Sequence, residues 1–519
     1  MLSFLIFTPI LGALLIALVP RDKDGAIKWI ALMFSLVTLS LAFGLFLTFQ
    51  AGEADFQFVE KIPWIGDLGI SYHVGVDGIS LFLVMLTAFI VPILLFAPWE
   101  AIKERLKLYA MMILVLEGAV VGVFLALDLV LFYVFWEAML IPMYFIIGVW
   151  GGSRGPAAAI KFFIYTMATS VLMLVAIIVI YTQTGTFNLL EIQALTGGLF
   201  QPSLLLFAAF AAAFAVKIPL WPFHSWLPDA YSEAPTSGTI LLSALMSKAG
   251  LYGLIRFGLF LFPVEAAIMA PYLLALALIG VVYGALVAWA QIDLKRLIAY
   301  SSVSHLGLVA IGIFAFTSAP AAGSVGGLIN NLFGVTGSGG AAISLTGSIM
   351  QMVNHGIIIA ALFLVIAVLW ERFGQRMISD FGGLAKVMPR FMALFLIAML
   401  GSVALPGTSG FVGEFLILVG AFATQYQLVA IIGATMAILS AIYMLWMTQK
   451  VFHEPLNDRA TETKDLSNSE SWVLIPLVAL ILIMGIFPNL WLDRISPSVE
   501  ALMQSQQQTI ELSVEREER

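Results

Sequence analysis

Apolar runs long enough to cross a bilayer follow one another from the first residues of this chain almost to its last. A membrane-spanning helix needs roughly 20 predominantly apolar residues. Fourteen stretches reach about that length, near 2–19, 28–49, 78–98, 108–127, 129–149, 160–182, 203–219, 236–258, 268–290, 296–316, 343–370, 390–421, 427–450 and 471–491. The expected fold is therefore an all-α polytopic membrane protein of about fourteen transmembrane helices. Charged residues make up only 11% of the chain, against about 25% in soluble domains. The first run lacks a basic leader and a small-residue cleavage site, so it reads as a membrane helix and not a removed signal.

The basic residues test that count. With loops assigned alternately to two sides, 17 of the 24 lysines and arginines fall on one side and 5 on the other, while Lys217 and Lys248 fall inside spans. The richer side is cytoplasmic by the positive-inside rule, which leaves both termini on the external side. Spans four to eight and nine to thirteen form two blocks of five. Five is odd, so the blocks enter the membrane from opposite sides, as inverted repeats do. The expected organisation is an N-terminal three-helix segment (1–107), a first five-helix repeat (108–258) and a second (259–452) carrying a Gly-rich external loop at 317–347. A final helix and a charged external tail (453–519) follow, and 6 of the last 10 residues are charged.

Each block carries an interruption in its fourth span. In FAVKIPLWPFHSWLPDA, 214–230, Lys217 ends an apolar run and Pro219, Pro222 and Pro228 follow, with His224 between them. Proline removes a helix donor and clashes with the preceding turn, so the seventh helix is expected to be discontinuous beside a buried cation. The twelfth run is too long for one span and contains GSVALPGTSG, 401–410, with Pro406; a second discontinuous helix is expected there. Broken helices at membrane depth are tolerated where protein or a cavity covers the freed backbone, and transporters use them to handle ions. A lysine that snorkels to the interface is the other reading of Lys217 taken alone.

Further ionisable groups sit in mid-span. They are Glu117 in span four, Glu137 in span five, Lys248 in span eight, His305 in span ten, His355 in span eleven and Glu414 just past the second break. Each stands alone in apolar sequence, so its partners must come from other helices. A charge at a helix centre costs about 2.5–3.5 kcal/mol on insertion scales. A lysine whose carboxylate partner moves changes its hold on its proton, which makes a Glu–Lys pair a proton switch. Histidines between such pairs can relay a proton, and a row Glu–Lys–Lys–His–Glu would carry protons sideways through the membrane. Any single pair could instead fix helix register, and Glu117, His305 and His355 could be packed, hydrogen-bonded residues. Cysteine is absent, which excludes disulfides and thiolate-bound clusters. The five histidines are far apart in sequence, and neither a metal site nor a nucleic-acid partner is expected.

The stretches FWEAMLIPMYFIIGVWG around Glu137, KIPLWPFHSWLPDAYSEAPTSGTILLSALMSKAGLYGLIRF around Lys217 and Lys248, DLKRLIAYSSVSHLG, and LPGTSGFVGEF around Glu414 resemble the antiporter-like membrane subunits of respiratory complex I. The likeness is strongest over 74–452. An acid at 414, where related subunits carry lysine, together with GVDGISLFLVMLT and FGGLAKVMPRF, resembles the M type, the relative of mitochondrial subunit 4. The resemblance implies a proton-translocating subunit of an NADH- or ferredoxin-linked quinone oxidoreductase, with translocation by Glu137, Lys217, Lys248, His305, His355 and Glu414. It implies support from Glu117, Pro219, His224 and Pro406. It also implies no cofactor in this chain, with FMN, iron–sulfur clusters and quinone held elsewhere in the complex. Other membrane-arm subunits and the lipid bilayer would be its partners. A subunit of a Mrp-type Na+/H+ antiporter is the alternative that shares this core.

Overall fold

In the computed structural model, described here for residues 1–97, 102, 104–196, 198–317, 339–457, 461 and 463–517, the apolar runs are helices. Among the described residues eleven helices are long and apolar enough to cross a membrane, and four shorter apolar helices accompany them, Leu2–Leu18, Leu204–Lys217, Pro389–Ser402 and Ser409–Phe422. The fifth run is one span in length but pauses at Met139, between helices Leu129–Ala138 and Leu140–Trp150. The Gly-rich 317–347 stretch, with its GGLINNLF segment, lies mostly outside the described residues.

Burial sorts the helices into a centre and a lipid-facing rim. In the most apolar windows of Thr236–Leu259, Leu294–Ala315 and Gly339–Phe373, 100%, 94% and 94% of the residues are buried. The same measure is only 33% for Gly155–Thr184 and for Gln427–His453. Lys248, His305 and His355 thus lie on the three most enclosed spans, while apolar side chains such as Ile164, Leu172, Ile438 and Leu445 point outward. Helices Gly339–Phe373 and Ser409–Phe422 pack closely, and a Cβ on Gly413 would meet the Gln351 side chain at 2.5 Å. Small residues allow this approach where lipid supplies no hydrophobic drive between helices.

Two features were not expected from the sequence, a hairpin between spans and a helix in the tail. Residues Gln57–Ile65 and Ile70–Val76 form an antiparallel hairpin, with Lys61 opposite His73 and Ile62 opposite Tyr72. Asp128 pins it, accepting from Ser71 N at 3.0 Å and Oγ at 3.1 Å while capping the Leu129–Ala138 helix through Val130 N and Leu131 N. Lys61 reaches Glu191 at 2.8 Å, and the bonds from Lys61 and Thr186 hold that carboxyl below its ordinary range. The C-terminal segment, expected as a charged tail, is a helix, Asn489–Glu517. It buries Ile495, Val499 and Leu502, donates from Gln506 Nε2 to the Leu259 carbonyl at 2.8 Å and accepts from Gly78 N on Ser498 Oγ at 3.0 Å.

These ties converge on one end of the Lys248 span. There Arg256 pairs with Asp77, both nearly excluded from solvent, and stacks over Phe56 and Tyr252. Asp77 also caps the Gly78–Phe96 helix in a capping box with Ser80. Removing one partner of a buried pair strands the other charge, at a cost of about 3–5 kcal/mol. Asp77→Ala is therefore expected to lower the thermal unfolding midpoint in detergent and the amount of inserted protein; an unchanged midpoint would show that the pair is dispensable.

Candidate functional site

The first helix break forms as its prolines require. Helix Leu204–Lys217 ends with Lys217 in its last turn. Pro219 cannot donate to Ala215 O, so Leu220 N does so at 2.9 Å. The Val216 carbonyl is taken by the Trp226 indole N–H at 2.9 Å. A carbonyl freed in hydrocarbon must find an internal donor, and the chain folds its own indole back to supply one. Lys217 is 1% exposed, which rules out snorkelling within the chain. Its Nζ makes no hydrogen bond and lies over the face of Trp136, 4.5 Å from the ring centroid. Glu137 is its charged neighbour, with both carboxylate oxygens buried. The expected Glu137–Lys217 association is present, but through space and not as a direct hydrogen bond.

Lys248 is held differently. Its helix opens into π-helical turns on either side, Leu241–Met246 and Leu254–Leu259. Such wide turns loosen the regular ladder and recur at functional sites. Lys248 Nζ donates to the Ser243 carbonyl at 2.5 Å and lies 3.4 Å from Ser247 Oγ and 2.7 Å from His355 Nδ1. Two residues on, Gly250 touches the Lys217 turn: a Cβ there would meet Lys217 Cβ, Ile218 Cγ1 and Phe214 O, each at 3.0 Å. The two lysine-bearing helices thus meet at a position that only glycine fits without displacement.

From His355 the row continues. The His355 and His305 ring centroids are 5.8 Å apart. His305 Nδ1 lies 2.9 Å from Glu414 Oε1, and Gln351 Nε2 donates to the same oxygen at 3.0 Å. Each histidine uses Nδ1 outward along the row and leaves Nε2 unpartnered. A cavity of about 10 Å³ is bordered by Ser301, His305, Gln351, His355, Ser402 and Glu414, space for about one water. Lys248, His355, His305 and Glu414 are all 4% exposed or less.

The second break lies in 403–408, between helices Pro389–Ser402 and Ser409–Phe422, with Pro406 inside it. Ala404 and Gly407 adopt positive φ, 57° and 93°. Asn354 Nδ2 donates to the Ser409 carbonyl at 2.7 Å and lies 3.4 Å from Gln351 Oε1, so one amide ties the break to the partner of Glu414. Sequence reading missed Gln351 and Asn354. Their signal was spacing: they share a helical face with His355 within QMVNH.

Two residues singled out in the sequence lie elsewhere. Glu117 is fully buried and accepts from Ser35 Oγ at 3.2 Å, against the N-terminal helices. His224 follows the first break and packs its ring against Tyr283 and Tyr300, centroids 5.1 and 6.4 Å away. Asp229, five residues on, receives Lys161 at 2.8 Å and Arg296 at 3.4 Å, joining helices Gly155–Thr184 and Leu294–Ala315 through the segment after the break.

Known proteins resemble this chain over nearly its whole length. A family model described as "NADH:quinone oxidoreductase/Mrp antiporter, TM" matches residues 126–333 and 331–440. NADH-quinone oxidoreductase subunit M of Rhodobacter capsulatus is 42% identical over 97% of this chain and 96% of its own. NADH-ubiquinone oxidoreductase chain 4 of Arabidopsis thaliana is 40% identical over 97% of each chain. Among solved structures, a chain of respiratory complex I from Thermus thermophilus superposes with a TM-score of 0.85 at 30% identity, over 98% of this chain and 100% of that one. The match spans both helix breaks and every residue of the row from Glu137 to Glu414, and the chain belongs to the antiporter-like membrane subunits of the NADH:quinone oxidoreductase/Mrp family.

Proposed function

We propose that this chain is the M-type proton-translocating subunit of a quinone oxidoreductase, in which quinone reduction elsewhere in the complex drives protonation changes along Glu137, Lys217, Lys248, His355, His305 and Glu414. The observation that carries this reading is the run of contacts Lys248–His355–His305–Glu414, buried at the centre of the helix bundle. Every member can hold or release a proton, and the outer contacts are at hydrogen-bond distance. Lys217, set against Glu137 and Trp136 at the first break, is the switch that feeds it. Glu414 is the terminal site that holds a proton before release.

The wider architecture follows from this role. Fourteen membrane crossings, two inverted five-helix repeats at 108–258 and 259–452, and both termini on the external face put one broken helix in each repeat. FMN, iron–sulfur clusters and quinone belong to neighbouring subunits of the complex, and this chain handles protons alone. The alternative, a Na+/H+ antiporter subunit, differs in its company. Mild-detergent purification of the tagged chain from its own membranes is expected to bring flavin- and iron–sulfur-containing subunits with it; recovery with small membrane proteins and no redox cofactor would overturn the assignment.

Lys217→Ala is expected to insert normally and lose coupled pumping, and Lys217→Arg to recover little of it, because a guanidinium does not deprotonate in proteins. The measurement is proton uptake per quinone reduced in closed vesicles. A near-parental ratio for the arginine variant would count decisively against a switch at this position.

Glu414 allows a sharper separation. As a proton-holding site it tolerates another titrating group, so Glu414→Lys keeps partial pumping while Glu414→Ala loses most of it. If Glu414 served only to neutralise its neighbours, lysine would face His305 with like charge and be at least as harmful as alanine. Proton uptake normalised to assembled complex distinguishes these outcomes.

A further inference from the structure

The row from Lys248 to Glu414 has a neighbour that it does not use. Ser301 lies one turn before His305 on the same face of Leu294–Ala315 and borders the small cavity beside Glu414. Its Oγ is 2.7 Å from the hydroxyl of Tyr443, on helix Gln427–Thr448. The two residues are 2% and 0% exposed, and Tyr443 is an electrostatic neighbour of Glu414. A buried tyrosine hydroxyl needs a partner, but nothing in the packing requires the hydroxyl itself; a phenyl ring would fill the same space. Each hydroxyl both donates and accepts. The cavity between Ser301 and the Glu414 carboxylate has room for about one water, enough to complete a chain of exchangeable protons.

Beyond the pair, toward the helix ends that carry Lys295 and Lys450, a second cavity of about 10 Å³ has a wholly apolar lining that includes Leu294, Ile298, Phe395, Met447, Val451 and Phe452. Apolar constrictions in membrane proteins block passage by staying dry. Polar groups therefore lead from Glu414 as far as Tyr443 and stop at an apolar plug.

We propose that Ser301 and Tyr443 form a side branch by which Glu414 exchanges a proton with the membrane side bearing Lys295 and Lys450, closed in this arrangement by the apolar cavity at Leu294, Ile298, Met447 and Val451. The inference rests on the reading of Glu414 as a proton site. Only O–H bonds change: Tyr443 passes its hydroxyl proton to Ser301 as it accepts another from the far side, and Ser301 passes its own to the cavity water and on to the Glu414 carboxylate. No electron moves and no other bond breaks.

The test uses the assembled complex in closed vesicles, with proton uptake measured per quinone reduced. Tyr443→Phe and Ser301→Ala are each expected to lower the ratio about tenfold, less than the roughly 10²–10⁴-fold contribution of a positioned proton-transfer group, because each removes one link of a side branch. Ser301→Thr, which keeps the hydroxyl, stays near the parent. A packing role would not separate threonine from alanine in this way. In a second arm, Met447→Ser wets the plug and speeds passive decay of an imposed pH gradient, and adding Tyr443→Phe suppresses that leak. The leak arm needs no catalytic turnover, so it decides the matter even if the single Tyr443 variant assembles poorly. Parental pumping by Tyr443→Phe and Ser301→Ala alongside impaired Glu414→Ala, or a Met447→Ser leak indifferent to Tyr443, overturns the branch. Parental pumping by Glu414→Ala overturns instead the reading on which the branch rests.

Discussion

Everything distinctive in this fold follows from the cost of an ionisable group in hydrocarbon. Each such group costs about 2.5–3.5 kcal/mol on insertion scales before any pairing. Lys217, Lys248, His305, His355 and Glu414 are all buried among helices that offer little besides aliphatic surface. Hydrogen-bonding backbone cannot be spared from a regular helix, because every lost bond there is itself a penalty. The chain resolves the conflict by making its helices irregular where the ionisable groups sit. The π-helical turn before Lys248 leaves the Ser243 carbonyl able to accept both the ammonium and the Ser247 hydroxyl. At the start of the helix that follows the 403–408 break, the Ser409 carbonyl accepts from Asn354, which in turn contacts the amide that holds Glu414.

The two parts of the row meet their costs by different means. From Lys248 onward the compensation is by hydrogen bonds, with Lys248, Glu414 and both histidines each engaged at 2.5–3.0 Å. At the first break Lys217 has only the face of Trp136 and the field of Glu137. A cation over an aromatic face gains about 2 kcal/mol or more when desolvated, which is comparable to the insertion cost but provides no route for a proton. Proton exchange needs a donor and acceptor within hydrogen-bond distance, and Lys217 has none in this arrangement.

Much of this was legible in the sequence because hydrocarbon is an unforgiving solvent. Run lengths located the helices, prolines located both breaks, and isolated charges in apolar runs named the row from Glu137 to Glu414. Less legible was anything set by geometry between helices. The hairpin at 57–76 mixes polar residues with exposed Val59, Ile62 and Trp64 and has no clean alternation. The C-terminal helix hides its buried Ile495, Val499 and Leu502 among charges that suggest a loose tail. The π-helical turns leave no mark in LLSALM or LIRFGL, since they arise from what the neighbouring helices demand of Ser243 and Arg256. Gln351 was overlooked for a related reason: a lone amide in an apolar run acquires meaning only when another helix brings Glu414 to it.

The position of Gly250 shows how the two parts of the row are joined. It stands two residues past Lys248 and within 3.0 Å of where a side chain would strike the Lys217 turn. The Lys217 break and the Lys248 turn therefore press on each other through backbone and Cβ, with no side chain to buffer a shift. Packed interiors respond to displacement by moving as units, because they are as dense as organic crystals. A change at the first break that brought Lys217 within reach of a proton partner would bear directly on the turn that holds Lys248 against His355. Asp229 adds a second link, since the segment after the same break is tied by Lys161 to one helix and by Arg296 to the helix bearing His305. The first break is thus mechanically connected to both ends of the histidine relay, by close packing at Gly250 and by charge at Asp229, while its own lysine is held without a hydrogen bond.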